Sequence, residues 1–255
     1  MESIEKYQLL KHQLLQLGLD AVAESFQSKA VEYRKNGLDY LDYLGDLISQ
    51  QWQRKLERSI NYRLRNARFP EIKTLEAFDF QFQPDLDQKA ISQLLDFQFV
   101  EKAENILFVG PPGVGKTHLA IAIGIKACER RIRTLFVTAQ NLLEQLKIAH
   151  ISHNFPEVLD HYARFNLLII DELGYLPMTE EDAKIFFQLI SRKYEKNSII
   201  ITTNQPFGKW GTIFQDETIA AAILDRLLYH AHIFKIQGQS YRIKNKVLEN
   251  KNENA

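Results

Sequence analysis

The chain has 255 residues, of which 45% are hydrophobic, so it is long enough to bury a core and to form one or two globular domains. Thirty-two basic residues balance thirty-two acidic ones, which excludes a global positive field, so any nucleic-acid surface must be a local patch. The single cysteine, Cys128, excludes an internal disulfide and indicates a reducing compartment. No apolar run reaches the roughly 18 residues of a membrane helix, so we expect a cytoplasmic protein without a membrane partner.

The first 66 residues are predicted to be all helical, in three segments: Ser3–Leu17, Asp20–Lys35 and a long one that begins near Asp39. Apolar residues recur every three or four positions along the long segment, as expected of one helix face. We expect this apolar stripe to pack on the other two helices. Its members are Leu41, Leu44, Ile48, Trp52, Leu56 and Ile60.

The opposite face of the long segment is basic. At about 100° per residue, Arg54, Arg58 and Arg65 fall within about 40° of one another. Such a row can follow a phosphate backbone and is the best candidate for binding duplex DNA, although a solvated helix face would show the same pattern.

A connector of residues 71–96 follows the helix-breaking pair Phe69-Pro70. Its alternating residues Phe78, Phe80 and Phe82 fit either a strand packed on the core or a segment lying across a nucleotide base. The connector's last part, continuing to Phe99, is predicted to be helical.

The segment Asn105–Leu119 reads NILFVGPPGVGKTHL, an apolar strand, a glycine-rich loop and a helix start. Its Gly-x4-Gly-Lys-Thr pattern is typical of a phosphate loop, whose backbone amides surround phosphate oxygens at a helix N-terminus. It predicts ATP and Mg²⁺ as cofactors, with Lys116 on the β- and γ-phosphates and Thr117 on the metal. The predicted nucleotide-binding residues are Gly110, Pro111, Pro112, Gly113, Val114, Gly115, Lys116, Thr117 and His118.

From Asn105 onward, short apolar strands alternate with helical patterns, which predicts an α/β fold with a parallel five-stranded sheet flanked by helices. Along the sequence, one strand, Thr134–Thr138, lies between the phosphate-loop strand and the acidic strand. This arrangement resembles the additional-strand group of phosphate-loop ATPases. The predicted strands are Ile106–Val109, Thr134–Thr138, Leu167–Asp171, Ser198–Thr203 and Ile233–Ile236.

Polar residues follow two of these strands. Asp171, at the carboxyl end of LLIID, is expected to hold Mg²⁺ with Thr117. Glu172 is placed to deprotonate a water that attacks the γ-phosphate. Asn204 can bridge that water and the γ-phosphate, unless NQP is only a turn. A carboxylate that activates water argues against a kinase.

Two later arginines, Arg226 and Arg242, can complete a hydrolysis site by stabilising transition-state charge. Each is weak evidence alone, because an arginine in the amphipathic helix that holds LLDRLL is more often in a salt bridge.

The order GPPGVGKTHLA, LLIIDELGYLP, IIITTNQPFGKWG, LLDRLLYHAHIFKIQGQSYR resembles the IstB family of transposition helper ATPases, in the DnaC-like branch of AAA+ proteins. The resemblance covers nearly the whole chain. It implies that Lys116 and Thr117 are the Walker A residues and that Asp171 and Glu172 are the Walker B pair. It also makes Asn204 sensor 1, Arg226 an arginine finger acting in trans and Arg242 a sensor 2 arginine.

The resemblance also implies an ATPase that forms homo-oligomers through ATP-containing interfaces on double-stranded DNA, remodels the DNA and recruits a transposase. Residues 139–164 then resemble a DNA-facing insertion, with Lys147 as a contact. Residues 1–68 are expected to form a helical DNA- or partner-binding domain, 69–104 a linker, 105–245 the AAA+ domain and 246–255 a polar tail. A DnaC-like helicase loader is the nearest alternative, followed by a phosphate-loop kinase.

Overall fold

The computed structural model describes residues 2–175 and 178–241, with the side chains of residues 2–4 left out. The chain divides into two compact units between Tyr62 and Arg63, a little before the expected boundary at residue 68. The break lies inside a helix, so helix continuity hid it from the sequence.

The first unit is helical, as predicted. Its helices are α1 (Glu2–Gln16), α2 (Asp20–Asn36) and α3 (Tyr40–Asn66), the last of which runs past the boundary. A small core of Val22, Phe26 and Leu47 holds it together.

The predicted packing of α3 is wrong. Leu41, Leu44, Ile48 and Trp52 are between 52% and 75% exposed. The face of α3 that meets α2 carries Leu47 and a polar row. Gln51 Oε1 accepts from the Ala21 N–H at 2.9 Å. The rest of the row consists of the ion-paired Arg54 and Arg58.

The physical reason is that the arginines of this polar row form ion pairs with acidic residues near the start of α2. Asp20 begins α2 and Glu24 lies one turn later, so their carboxylates face the guanidinium of Arg54 at 3.1 and 2.7 Å. Arg58 reaches Asp20 at 2.6 Å. Arg54 and then Arg58 hold the pKa of the Asp20 carboxyl at about 2, well below its ordinary value. Periodicity finds the widest apolar face, but it does not detect these pairs.

The second unit is built on five parallel strands in the order β2-β3-β4-β1-β5, which confirms the predicted fold class. β3 is longer than expected and β5 begins earlier. The strands are β1 (Asn105–Val109), β2 (Thr134–Thr138), β3 (Leu167–Leu173), β4 (Ser198–Thr203) and β5 (Ala231–Lys235).

Helices cover both faces of the sheet. Alternate strand residues point to opposite faces, so Leu168 and Ile170 join one buried cluster while Leu167 and Ile169 join the other. The helices are α4 (Gln88–Gln93), α5 (Gln98–Glu101), α6 (Lys116–Glu129), α7 (Ala139–Ile151), α8 (Phe155–Ala163), α9 (Glu180–Lys193), α10 (Trp210–Phe214) and α11 (Glu217–Leu228). Among the described residues, no helix combines the length and the apolar character needed to cross a bilayer.

The connector does not form the strand that was one of its two alternatives. Phe80–Phe82 is a short 3-10 helix, which begins at Asp79, whose side chain accepts from the Phe82 N–H at 3.1 Å. Phe78 and Phe80 pack on the cluster that includes α6. Local capping by an aspartate therefore outweighs the alternating pattern.

Candidate functional site

The phosphate loop lies between β1 and α6, at the carboxyl end of the sheet. Gly113 and Gly115 have φ values of +81° and +97°, in the left-handed region that favours glycine. A β-carbon at Gly115 would also fall 2.5 Å from Cε2 of Phe78. Gly113 is therefore required for the turn, and Gly115 for both the turn and the close contact with the connector.

Lys116 lies inside the curve of this loop. Its Nζ donates to the carbonyl oxygens of Gly110 and Pro111, both at 2.7 Å, and the side chain is buried. The ammonium is thus held beside the backbone amides that can receive phosphate oxygens.

His118, one turn into α6, joins the loop to the connector. Its Nε2 lies 2.7 Å from the carbonyl oxygen of Thr74, and its ring meets the Phe78 ring edge-on at 5.3 Å. The aromatic connector therefore lies against the start of α6, and its place across a nucleotide base stays a prediction.

Asp171 and Thr117 meet as the sequence predicts. Thr117 Oγ1 donates to Asp171 Oδ1 at 2.9 Å, and the carboxylate is almost fully buried. Burial raises the pKa of Asp171 above its ordinary value, although hydroxyl donors and Lys116 oppose the rise. A buried carboxylate beside a hydroxyl offers the hard oxygen ligands of Mg²⁺, which needs only one or two protein carboxylates beside a phosphate. These residues therefore fit the expected metal.

Thr202 is the residue that the sequence reasoning missed. Its Oγ1 donates to Asp171 Oδ1 at 2.5 Å and accepts from the Glu172 N–H at 2.9 Å. One hydroxyl thus positions both acidic residues. The sequence alone carries no signal for this residue, because only the sheet order places a threonine near the end of β4 beside the end of β3.

Glu172 has an unusual backbone. Its φ is +61°, and the register between β3 and β4 shifts between Ile170 and Leu173. This irregularity turns the side chain out of the strand alternation, so the carboxylate is exposed beside the buried Asp171. It lines a cleft of about 490 Å³ between α7 and the segment after β3, which gives it access to water.

Asn204 follows β4 directly, at the same edge of the sheet. Its side chain is half-buried, and its Oδ1 has no hydrogen-bond partner in the described part of the chain. An unpaired amide oxygen can accept a hydrogen bond from a water, as the sensor role requires.

Arg226 lies far from this edge. Its guanidinium stacks over the Phe187 ring at 4.6 Å, and Nη1 donates to the Ala222 carbonyl at 3.0 Å. The next residue, Leu227, accepts a hydrogen bond from Asn105 at the amino end of β1. Since the phosphate loop begins at the other end of β1, a strand of five residues separates the two, roughly 16 Å. Arg226 is therefore not brought to the phosphate loop of its own chain.

The residues predicted to contact DNA have different surroundings. Lys147 pairs with Asp182 at 2.7 Å, Arg54 and Arg58 pair with acids of α2, and Arg65 is exposed. Arg242 lies outside the described residues.

Comparisons with known proteins agree with this site. The family model described as IstB-like ATP binding protein matches residues 12–249. The chain belongs to this IstB-like family. One relative, an insertion sequence IS21 putative ATP-binding protein of Pseudomonas aeruginosa, is 43% identical over 91% of this chain and 88% of its own length. The IS232 protein of Bacillus thuringiensis is also 43% identical, over 93% and 95%.

Solved structures share the fold of this IstB-like chain. DnaI is 22% identical with a TM-score of 0.55, over 64% of this chain and 90% of its own. DnaA of Aquifex aeolicus, bound to AMPPCP, is 22% identical with a TM-score of 0.56, over 71% and 56%. Membership of the family, the AAA+ fold and the assembled loop residues identify the chain as an ATP-binding protein and an ATPase.

Proposed function

We propose that this IstB-like ATPase assembles on duplex DNA with ATP between its subunits, remodels the DNA, and recruits and stimulates a transposase. The observation that carries the proposal is the position of Arg226, about the length of β1 away from the phosphate loop of its own chain. If Arg226 is to stabilise the γ-phosphate, it must therefore act on the nucleotide of a second copy. The insertion-sequence relatives, of similar length, supply the link to transposition.

The hydrolysis step uses residues at one edge of the sheet. Glu172 accepts a proton from a water whose oxygen attacks the γ-phosphorus, while the bond from that phosphorus to the β–γ bridging oxygen breaks and ADP leaves. Asn204 orients the water, and Lys116 neutralises charge on the phosphates. Mg²⁺, when bound by Thr117 and Asp171, supplies electrostatic stabilisation of the phosphates. Arg242 is assigned the sensor 2 role by family resemblance alone.

Localisation in the cytoplasm, where DNA and ATP are both present, belongs to the same proposal. Arg65 is the member of the arginine row most available to DNA, because Arg54 and Arg58 already pair with acids. We therefore expect the three arginines of this row to contribute fewer than three positive charges to DNA binding.

Electron microscopy tests the proposal directly. The Glu172→Gln chain, mixed with ATP, Mg²⁺ and duplex DNA, is expected to give rings or helical arrays on the DNA that outlast those of wild type, because the base is lost and the phosphate loop remains. Lys116→Ala is the matched control and should give none. A chain that stays monomeric with ATP and DNA would refute the assembly.

A helicase loader is the second candidate, because the DnaC helicase loader shares the fold over 86% of its own length, with a TM-score of 0.50. Purified transposase from the same element, added to the assembled protein, should bind it and gain activity, whereas the replicative helicase should not. The reverse outcome would favour a loader.

A further inference from the structure

The side chain of Gln83 has no explained role in the fold. It is 2% exposed, and neither Oε1 nor Nε2 has a hydrogen-bond partner among the residues that the structure describes. Its backbone, in contrast, is fully used: the Gln83 N–H donates to Phe80 at 3.1 Å and the carbonyl accepts from Leu86 at 3.0 Å. Burial of an unpaired amide is costly and is rare in native structures. Backbone hydrogen bonds thus hold Gln83 in place, while the polar atoms of its side chain take no part in the hydrogen bonding of the described residues.

Gln83 lies beside the phosphate loop, where two segments meet. One is the connector, whose Phe78 contacts Gly115. The other is the segment after β5, which reaches the loop at both ends: a β-carbon at Gly110 would fall 2.0 Å from the Ile236 carbonyl oxygen, and the Tyr241 N–H donates to the Gly113 carbonyl at 2.9 Å. Gln83 joins the two segments, because Oε1 lies 2.9 Å from the position of a β-carbon on Gly238.

The sheet order says which end of a nucleotide faces this corner. β3 and β4, which end in Glu172 and Asn204, lie on one side of β1, and β5 lies on the other. A triphosphate in the loop directs its γ-phosphate toward the hydrolytic residues. Its base must therefore leave the loop on the side of β5 and the connector, where Gln83 is.

On this side the Gln83 amide faces the backbone of Gly238. Residues 237–239 are exposed, and Gly238 carries no side chain over the amide. A shift of this short segment would present both polar atoms to a base without any change in the core.

We propose that the buried side-chain amide of Gln83 recognises the adenine of the bound nucleotide. A carboxamide has a donor and an acceptor side by side, and adenine presents the complementary pair, its 6-amino group and an adjacent ring nitrogen. On its N7 edge, guanine offers two acceptors and leaves Oε1 unpaired. Gln83 is then a specificity residue of the ATP site.

Binding of diphosphates tests this assignment without hydrolysis, DNA or transposase, so its result is independent of the proposed function. Calorimetry compares ADP with purine riboside diphosphate, which lacks only the 6-amino group. Wild type should prefer ADP, on the order of 10- to 100-fold, as one bidentate pair predicts. Gln83→Met should bind both ligands about equally, and Gln81→Met, an exposed neighbour in the connector, should keep the wild-type preference.

A wild-type measurement covers the case in which Gln83→Met fails to fold. In protein labelled with ¹⁵N-glutamine, ADP should shift one side-chain amide resonance that pyrophosphate leaves in place, and purine riboside diphosphate, which keeps only the ring-nitrogen acceptor, should shift it less than ADP does. A preference for ADP that persists in Gln83→Met, or no such shift in wild type, would overturn the proposal and leave Gln83 a structural residue.

Discussion

Thr202 shows how much of a catalytic site depends on a residue that carries no charge. Its hydroxyl donates to Asp171 and accepts from the Glu172 backbone, so the proposed metal ligand and the proposed base share one support. The acids themselves could be found from sequence, because a carboxylate after four aliphatic residues is distinctive. The threonine could not, because its role depends on which strand lies beside which.

Replacing Thr202 with valine keeps the shape and removes both hydrogen bonds. The pKa of Asp171, which burial already raises, should rise further when a donor is lost. We expect kcat to fall about 10- to 100-fold, in line with the loss of a positioning hydrogen bond of ~1.5–3 kcal/mol to a charged group, with nucleotide affinity little changed. Steady-state ATPase assays measure this. Thr134→Val, a buried threonine of β2, serves as control, and equal losses in the two variants would contradict the assignment.

The environment of Lys193 leads to a prediction about how the free energy of unfolding depends on pH. It is fully buried at the end of α9, donates to the Phe165 carbonyl at 2.7 Å, and burial lowers its pKa from 10.5 to about 7. Between these two pH values the unfolded chain binds more protons than the folded chain, so the free energy of unfolding should rise with pH.

The rise attributable to Lys193 can reach about 1.4 kcal/mol per pH unit, the limit for one proton. Lys193→Met should flatten it between pH 7 and 10, as measured by denaturant unfolding at several pH values. Lys184→Met, on the exposed face of the same helix, should keep the wild-type slope. An unchanged slope in Lys193→Met would mean that the lysine stays protonated in the folded chain throughout this range.

At the scale of elements, strands were easier to predict than helix faces. Each buried strand of the parallel sheet is a short apolar run between polar residues, and strands alternate with helical patterns along this part of the chain. Helix α3 has an apolar face and a polar face, and either could pack on another helix. The acidic residues of α2 favour the polar face. The ion pairs of Arg54 with Asp20 and Glu24 join residues 34 and 30 positions apart in sequence, so local periodicity cannot reveal them.

Because Arg54 forms these ion pairs and Arg65 is exposed, substitutions of the two arginines of α3 should have different effects. Arg54→Ala should lower the thermal midpoint of the helical unit, because Asp20 and Glu24 lose their shared partner. Arg65→Ala should leave the melt unchanged and reduce the slope of log K for duplex DNA against log salt by about 1. Circular dichroism and fluorescence titrations at several salt concentrations measure the two effects.

Arg130→Ala, which removes an exposed charge after α6, is the control for net charge. If Arg65→Ala and Arg130→Ala change the salt slope equally, the row on α3 is only a solvated face.

For the whole molecule, the sequence predicts one complete half of a hydrolysis site. The loop, the acids and Asn204 converge because parallel strands end at the same edge of the sheet. Arg226 does not converge with them, and no pattern in the sequence gives its distance from the loop. The division of residues between subunits is therefore a structural question from the start.

Mixed assemblies should reveal this division. Lys116→Ala and Arg226→Ala chains are each expected to be nearly inactive, because one lacks the phosphate ligand and the other the arginine supplied to its neighbour. Mixed in equal amounts with DNA, they should regain part of the wild-type ATPase rate, since some interfaces then combine an intact loop with an intact arginine. A mixture of Lys116→Ala with Glu172→Gln, two changes in the same half, should regain none.

The backbone of Glu172 shows that this machinery has a thermodynamic cost. An unbranched acid at φ +61° is less comfortable than glycine or asparagine would be, by roughly 1 kcal/mol. Position 172 is thus a place where stability and the proposed hydrolysis oppose each other, and a screen for thermostable variants should repeatedly replace the residue proposed as the base.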